Sequence, residues 1–130
     1  MEKKLKKKIW AGILVFVLLG VPISAYAASN YHTTLSFTTA LKSSTRYFAG
    51  SHVGIGLASM TPHAHFSTYN VTLYRKNTFT TDKIGTAKLL SNGSSRKEWT
   101  NVGSGNYYFY FSKGTDGSRT TSNNVHLYSK

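Results

Sequence analysis

Tyr69-Asn70-Val71-Thr72-Leu73-Tyr74-Arg75 is the stretch that decides the fold. Its apolar residues Tyr69, Val71 and Leu73 recur at every second position, so an extended chain puts all three on one face. Tyr, Val and Thr also suit a pleated, half-buried surface. The same period runs outward in both directions. Upstream, Tyr31, Thr33, Leu35 and Phe37 alternate with His32, Thr34, Ser36 and Thr38, which predicts a first strand with the odd positions inward. Thr45 to Ala49 predicts another through Tyr47 and Ala49. In Val53-Gly54-Ile55-Gly56-Leu57 one face is apolar and the other is bare backbone, which either an aromatic neighbour or a ligand must cover. Met60 to Phe66, interrupted by Pro62, reads as a loop.

Downstream, Lys83 to Leu90 reads as a strand and Ser91-Asn92-Gly93-Ser94 as a turn, since Asn-Gly accepts the positive φ angles of a tight hairpin. Arg96 to Val102 is expected to pair back, with Lys97 and Trp99 on one face and Glu98, Thr100 and Val102 on the other. Gly103-Ser104-Gly105-Asn106 turns into Tyr107-Tyr108-Phe109-Tyr110-Phe111, aromatic at every position and therefore expected to be a central strand at least partly covered on both faces. Lys113 to Gly117 forms a further turn, and Asn124 to Ser129 closes the chain as a strand. Asn124-Val125-His126-Leu127-Tyr128-Ser129-Lys130 repeats Asn70 to Lys76 at five of seven places, as two strands in similar environments would. No stretch after Ala28 shows the i, i+3, i+4, i+7 spacing of a helix. The expected class is all-β: one antiparallel, jelly-roll-like β-sandwich of seven or eight strands.

The N-terminus reads differently. Lys3, Lys4, Lys6, Lys7 and Lys8 precede an uncharged run from Ile9 to Ala28, broken by Pro22 and Ser24 just before Ala25-Tyr26-Ala27. A basic segment, an apolar core and small residues at the cleavage positions make residues 1–27 a signal peptide, helical in its apolar part, cut after Ala27. The competing reading is a retained anchor. Residues 28–130 then form one secreted domain, extracellular or associated with the cell wall. With no cysteine anywhere it has no disulfide and no lipidated cysteine, so its core must hold it. Eleven basic and three acidic residues remain after the signal, a net charge of +8. So strong a bias serves solubility or attracts a polyanion.

Val71-Thr72-Leu73-Tyr74, a variable hairpin and Gly105-Asn106-Tyr107-Tyr108 together resemble the secreted bacterial β-sandwich modules of the pre-peptidase C-terminal type. The resemblance runs from Asn70 to Ser112. It implies a non-catalytic sandwich and no particular ligand. The chain is also similar to small exported proteins of the Bacillus type, which implies no mechanism.

Carboxylate catalysis needs two acids facing one bond. After the signal only Asp82, Glu98 and Asp116 are available, Asp116 sits in a turn sequence, and no Gly-x-Ser-x-Gly elbow exists, so no enzyme is expected. His63-Ala64-His65 is the one metal-like feature, and its loop setting leaves no metal or other cofactor expected. Rings interleaved with cations are the more informative pattern, because sugars stack on rings while cations meet phosphate or carboxylate groups. The candidate ligand-binding residues are Tyr74, Lys97, Trp99, Tyr108, Tyr110 and Lys113, joined in one patch if their strands are neighbours. The expected function is a monomeric, secreted, non-catalytic protein binding an anionic cell-envelope polymer or glycan. Export disfavours nucleic acid as partner, and no stable membrane insertion is expected after cleavage. The alternative is a secreted cationic antimicrobial or toxin-like protein acting on membranes.

Overall fold

The computed structural model describes residues 29–130. The expected signal peptide, its helix and its cleavage site lie outside the described residues. Those described are all-β, in two antiparallel sheets.

The strands are β1 (Asn30–Phe37), β2 (Ala40–Lys42), β3 (Arg46–Phe48), β4 (Val53–Ser59), β5 (Thr68–Lys76), β6 (Thr81–Leu90), β7 (Gly93–Trp99), β8 (Gly105–Ser112) and β9 (Thr120–Ser129). That is nine where seven or eight were expected, because the three-residue β2 is too short to show a period. One sheet has the order β1-β9-β4-β7. The other has β2-β8-β5-β6, with β3 end to end with β2 along the same side of β8. The inward faces of both sheets meet in one hydrophobic cluster that includes Leu35, Ile55, Val71, Leu73, Leu127 and seven aromatic residues.

Alternation places most side chains as expected. Tyr69, Val71 and Leu73 point inward on β5, and Tyr107, Phe109 and Phe111 on β8. β8 lies between β5 and β2/β3 and is central. The repeated heptapeptides form β5 and β9, each internal to its own sheet, with Val and Leu buried in both. Gly54 is covered by a ring, as one of the two expectations held: a Cβ there would come within 2.3 Å of Tyr128 Cζ.

Two expectations are corrected. On β3 the buried residue is Phe48, while Tyr47 is 53% exposed, so this strand faces opposite to the predicted phase. Phe48 packs edge-on against Tyr31, Tyr107 and Phe109, and this contact overrides an alternation too short to decide. The second correction is larger. β7 does not pair back on β6; it joins β4 in the other sheet, with Gly93 opposite Ser59 and Trp99 opposite Val53. Asn92 gives the reason. Its side chain accepts from Thr61 N at 2.8 Å and donates to Thr61 O at 3.1 Å, binding the turn to the segment that follows β4. Only Gly93 of the Asn-Gly pair takes positive φ, at 120°. The turn therefore carries the chain between sheets.

The crossing carries Trp99 into the core. It is 7% exposed, its ring lies 6.0 Å from Phe109, and its Nε1 would be 3.0 Å from a Cβ on Gly85, where only glycine leaves room. Beyond it, the buried Tyr107 hydroxyl points at the carbonyl oxygens of Val102 and Gly103, at 2.6 and 2.7 Å, and fixes the corner into β8. Replacing Trp99 by Ala should cost about 3–5 kcal/mol in urea unfolding, the cost of emptying a large aromatic site in a core. A loss under about 1 kcal/mol would show that the ring does not bridge the sheets.

Candidate functional site

The outer face of the five-stranded sheet gathers half of the candidate residues. Tyr74 and Tyr108 are cross-strand partners, and their rings stack with centroids 5.1 Å apart and planes 16° from parallel. Tyr110, 37% exposed, follows two residues along on the same face, opposite Thr72. Antiparallel partners share a face, so the pairings Lys42↔Tyr110, Tyr74↔Lys83, Asn70↔Lys88 and Lys76↔Asn106 put four lysines around the rings. Lys42 Nζ lies 4.5 Å from the centre of the Tyr108 ring, and Lys88 Nζ donates to Asn70 Oδ1 at 3.4 Å. Thr72 and Thr86 join hydroxyls across the strands at 2.8 Å. The face offers a stacked tyrosine pair, an exposed tyrosine and a cation surround.

The remaining three candidates lie elsewhere, so the single patch expected from the sequence is corrected. Trp99 is a core residue. Lys97 stands opposite Ile55 in the other sheet, on its inward side but exposed at the free edge of β7, where a lysine discourages further strand pairing. Lys113 is turned inward with its side chain only 2% exposed. It donates to Ser118 O at 2.7 Å and Thr120 Oγ1 at 2.9 Å, and lies 3.3 Å from Asp116 Oδ1. It therefore fastens the loop between β8 and β9. Arg75, next to Tyr74, turns away to hold Val102 O and Ser104 O, each at 2.9 Å.

Lys42, Lys83 and Lys88 are the contributors that sequence reasoning missed. Lys83 and Lys88 have opposite parity, which in a regular strand sends them to opposite faces. A bulge in β6, where Leu73 pairs with Gly85 but Tyr74 with Lys83, switches the phase and brings both to the same side. Gly85, beside the bulge, is its one sequence signal.

All three carboxylates of the described residues are engaged away from this face. Asp82 accepts from Asn77 Nδ2 at 2.8 Å. Glu98 accepts from the Tyr128 hydroxyl at 2.7 Å and lies 3.3 Å from Lys130 Nζ. The Tyr128 bond, with Lys130 and Arg96 nearby, holds the Glu98 carboxyl below its ordinary range. Burial and the same bond push the Tyr128 phenol up to about 12. Asp116 is held low by the Ser118 amide first, then by Lys113 and the His65 amide. Among the described residues no three His, Asp or Glu side chains converge on a metal-sized site, His63 and His65 included.

On the outer face of the four-stranded sheet, His32 and His126 stack with centroids 4.6 Å apart and planes 4° from parallel, and His126 Nε2 meets Asn30 Oδ1 at 2.7 Å. Burial first, then the charges of His32 and Arg96, depress the His126 pKa. No protein-family model and no curated protein matches this chain.

The shifts that act below neutral pH share a sign. His126, Glu98 and Asp116 all bind protons less readily in the fold than in the unfolded chain, so stability rises with pH wherever they titrate. The thermal midpoint should fall in two steps on acidification: one as pH drops below about 6.5 through His126, another below about 4 through the carboxylates. His126→Gln should remove the upper step. An unchanged upper step in that variant would show that the stacked imidazole is not its source.

Proposed function

We propose that the protein is a secreted, non-catalytic binding module, a jelly-roll-like β-sandwich that holds an anionic cell-envelope polymer or glycan on the outer face of its five-stranded sheet. One observation carries the reading: Tyr74, Tyr108 and Tyr110 lie among Lys42, Lys76, Lys83 and Lys88 on a face with no carboxylate. Tyr74 and Tyr108 stack on each other with Lys42 over Tyr108, and the exposed Tyr110 beside them supplies the ring surface for a sugar. The lysines answer phosphate or carboxylate groups along a chain, and binding releases that chain's counterions. A flat face on a rigid sheet suits a repeating polymer, each unit meeting the same alternation of ring and cation.

A second reading has its own observation. Phe79 is 95% exposed in the turn between β5 and β6, which Asn77 closes through a 2.8 Å bond from its amide to Thr80 O. Lys76 and Lys83 flank it. An aromatic tip with cations behind it fits the interface of an anionic membrane, as a cationic antimicrobial or toxin-like protein would use it. Dye release from anionic vesicles at low protein concentration would favour this reading.

Co-sedimentation with purified anionic wall polymer tests the first reading. Retention should weaken steeply as salt rises. Replacing Lys83 and Lys88 by Gln should flatten that dependence, while Tyr108→Ala should lower retention at every salt concentration. Equal retention of wild type and all three variants would return the charge to a solubility role.

A further inference from the structure

The opposite face, on the four-stranded sheet, carries a groove with a different composition. Its floor is the backbone of β4 at Gly56, which pairs with His126 on one side and Arg96 on the other. The flanking strands are about 10 Å apart, twice the usual spacing, and glycine leaves the space between them empty. A Cβ at Gly56 would meet only Arg96 Nη1 at 3.6 Å and Ser95 O at 4.0 Å. At Gly54, two residues along, the Tyr128 ring fills the equivalent space; at Gly56 only the Arg96 guanidinium borders it. Ser94, Ala58 and Asn124 complete the groove, a shallow, open depression of about 470 Å³.

The charges around it are mostly cationic, with Glu98 the one carboxylate close enough to feel Arg96. Arg96 lies over the Tyr128 ring, its Cζ 5.0 Å from the centre, which swings the guanidinium across β4 toward β9 and His126. Among the described residues it has no ion-pair partner, and Glu98, the nearest acid along β7, is bonded to Tyr128 and Lys130. His126 faces His32 and Asn30 from β1, Arg96 from β7, Gly56 from β4 and Tyr128 on its own strand. No carboxylate stands among them. Protonating His126 puts an imidazolium beside a histidine and an arginine, with an open space between cations. Burial first, then those two neighbours, disfavour the imidazolium form.

We propose that this groove is a second binding site, specific for a tetrahedral oxyanion such as a phosphate group, held between the Arg96 guanidinium and a protonated His126 over the bare backbone of Gly56. The guanidinium makes charge-assisted hydrogen bonds to such an anion, and so does the Nδ1–H that protonation gives His126, whose Nε2–H is already donated to Asn30 Oδ1. Because the anion favours the imidazolium form, its affinity rises as pH falls through the His126 titration. The site does not depend on the tyrosine face, since the two lie on opposite sides of the core.

Sulfate is the probe, because its charge stays constant from pH 5 to 8. Following the His126 Cε1 proton of the purified protein by NMR at constant ionic strength, saturating sulfate should raise the His126 pKa by about one unit, equivalent to about tenfold tighter binding to the imidazolium form. Arg96→Gln should abolish the shift. Gly56→Ala, whose methyl meets nothing closer than 3.6 Å, should keep the fold and reduce it. Tyr108→Ala, on the far face, should leave it intact. A His126 pKa that ignores sulfate, or a shift of the same size in Arg96→Gln, would overturn the proposal. Because the readout is free of wall polymer, it stands or falls separately from polymer binding.

Discussion

Seven aromatic rings pressed between the two sheets bear the constraint on which the rest of the structure depends. The chain has no cysteine, and about a hundred residues give only a modest core, so ring packing must supply what a disulfide supplies in many small secreted domains. Phe48 touches Tyr107 and Phe109 edge-on, Phe37 does the same to Tyr69, and Trp99 reaches Phe109 from the other sheet. These geometries favour the attraction of ring edges for ring faces. The chain's route follows from them. Trp99 can reach Phe109 only because β7 changes sheets, and β7 changes sheets because Asn92 ties the turn to Thr61.

A core built this way frees the outer faces, and the two faces have diverged. Where a ring or cation points outward from the five-stranded sheet, its neighbours are rings, cations and neutral polar side chains. On the four-stranded sheet, glycines lower the surface and histidines, arginine and a tied-up glutamate rim it. Charge is thus sorted by face although the sequence mixes it along the chain. Lysines that answer structural needs are also set apart: Lys113 closes a loop and Lys97 guards an edge.

Much of the fold was legible because strand periodicity is local. The phases of β1, β5 and β8 and the similar settings of the repeated heptapeptides follow from alternation, while the glycine face of β4 was legible only as a surface that a ring or a ligand covers. Sheet membership was not legible. Asn92-Gly93 reads as a hairpin until the Thr61 contact is known, and that contact spans 31 residues. The candidate site divides in the same way. Tyr74, Tyr108 and Tyr110 were found, because neighbouring strands and period two suffice for them. Trp99 and Lys97 failed with the wrong pairing of β7. Lys83 and Lys88 were hidden by the bulge in β6, and the His126–Arg96 groove by its assembly from three strands far apart in sequence.

The central claim is that sorting charge and rings by face creates a surface for an anionic polymer. Amide chemical-shift mapping of the isotopically labelled protein with soluble wall-polymer fragments tests it most directly, at pH 8 where His126 is neutral. The account predicts the largest changes in β5, β6 and β8, centred on Tyr74, Lys83 and Tyr108, with β1 and β9 nearly silent. Changes spread evenly over both sheets, or concentrated on β1 and β9, would contradict it.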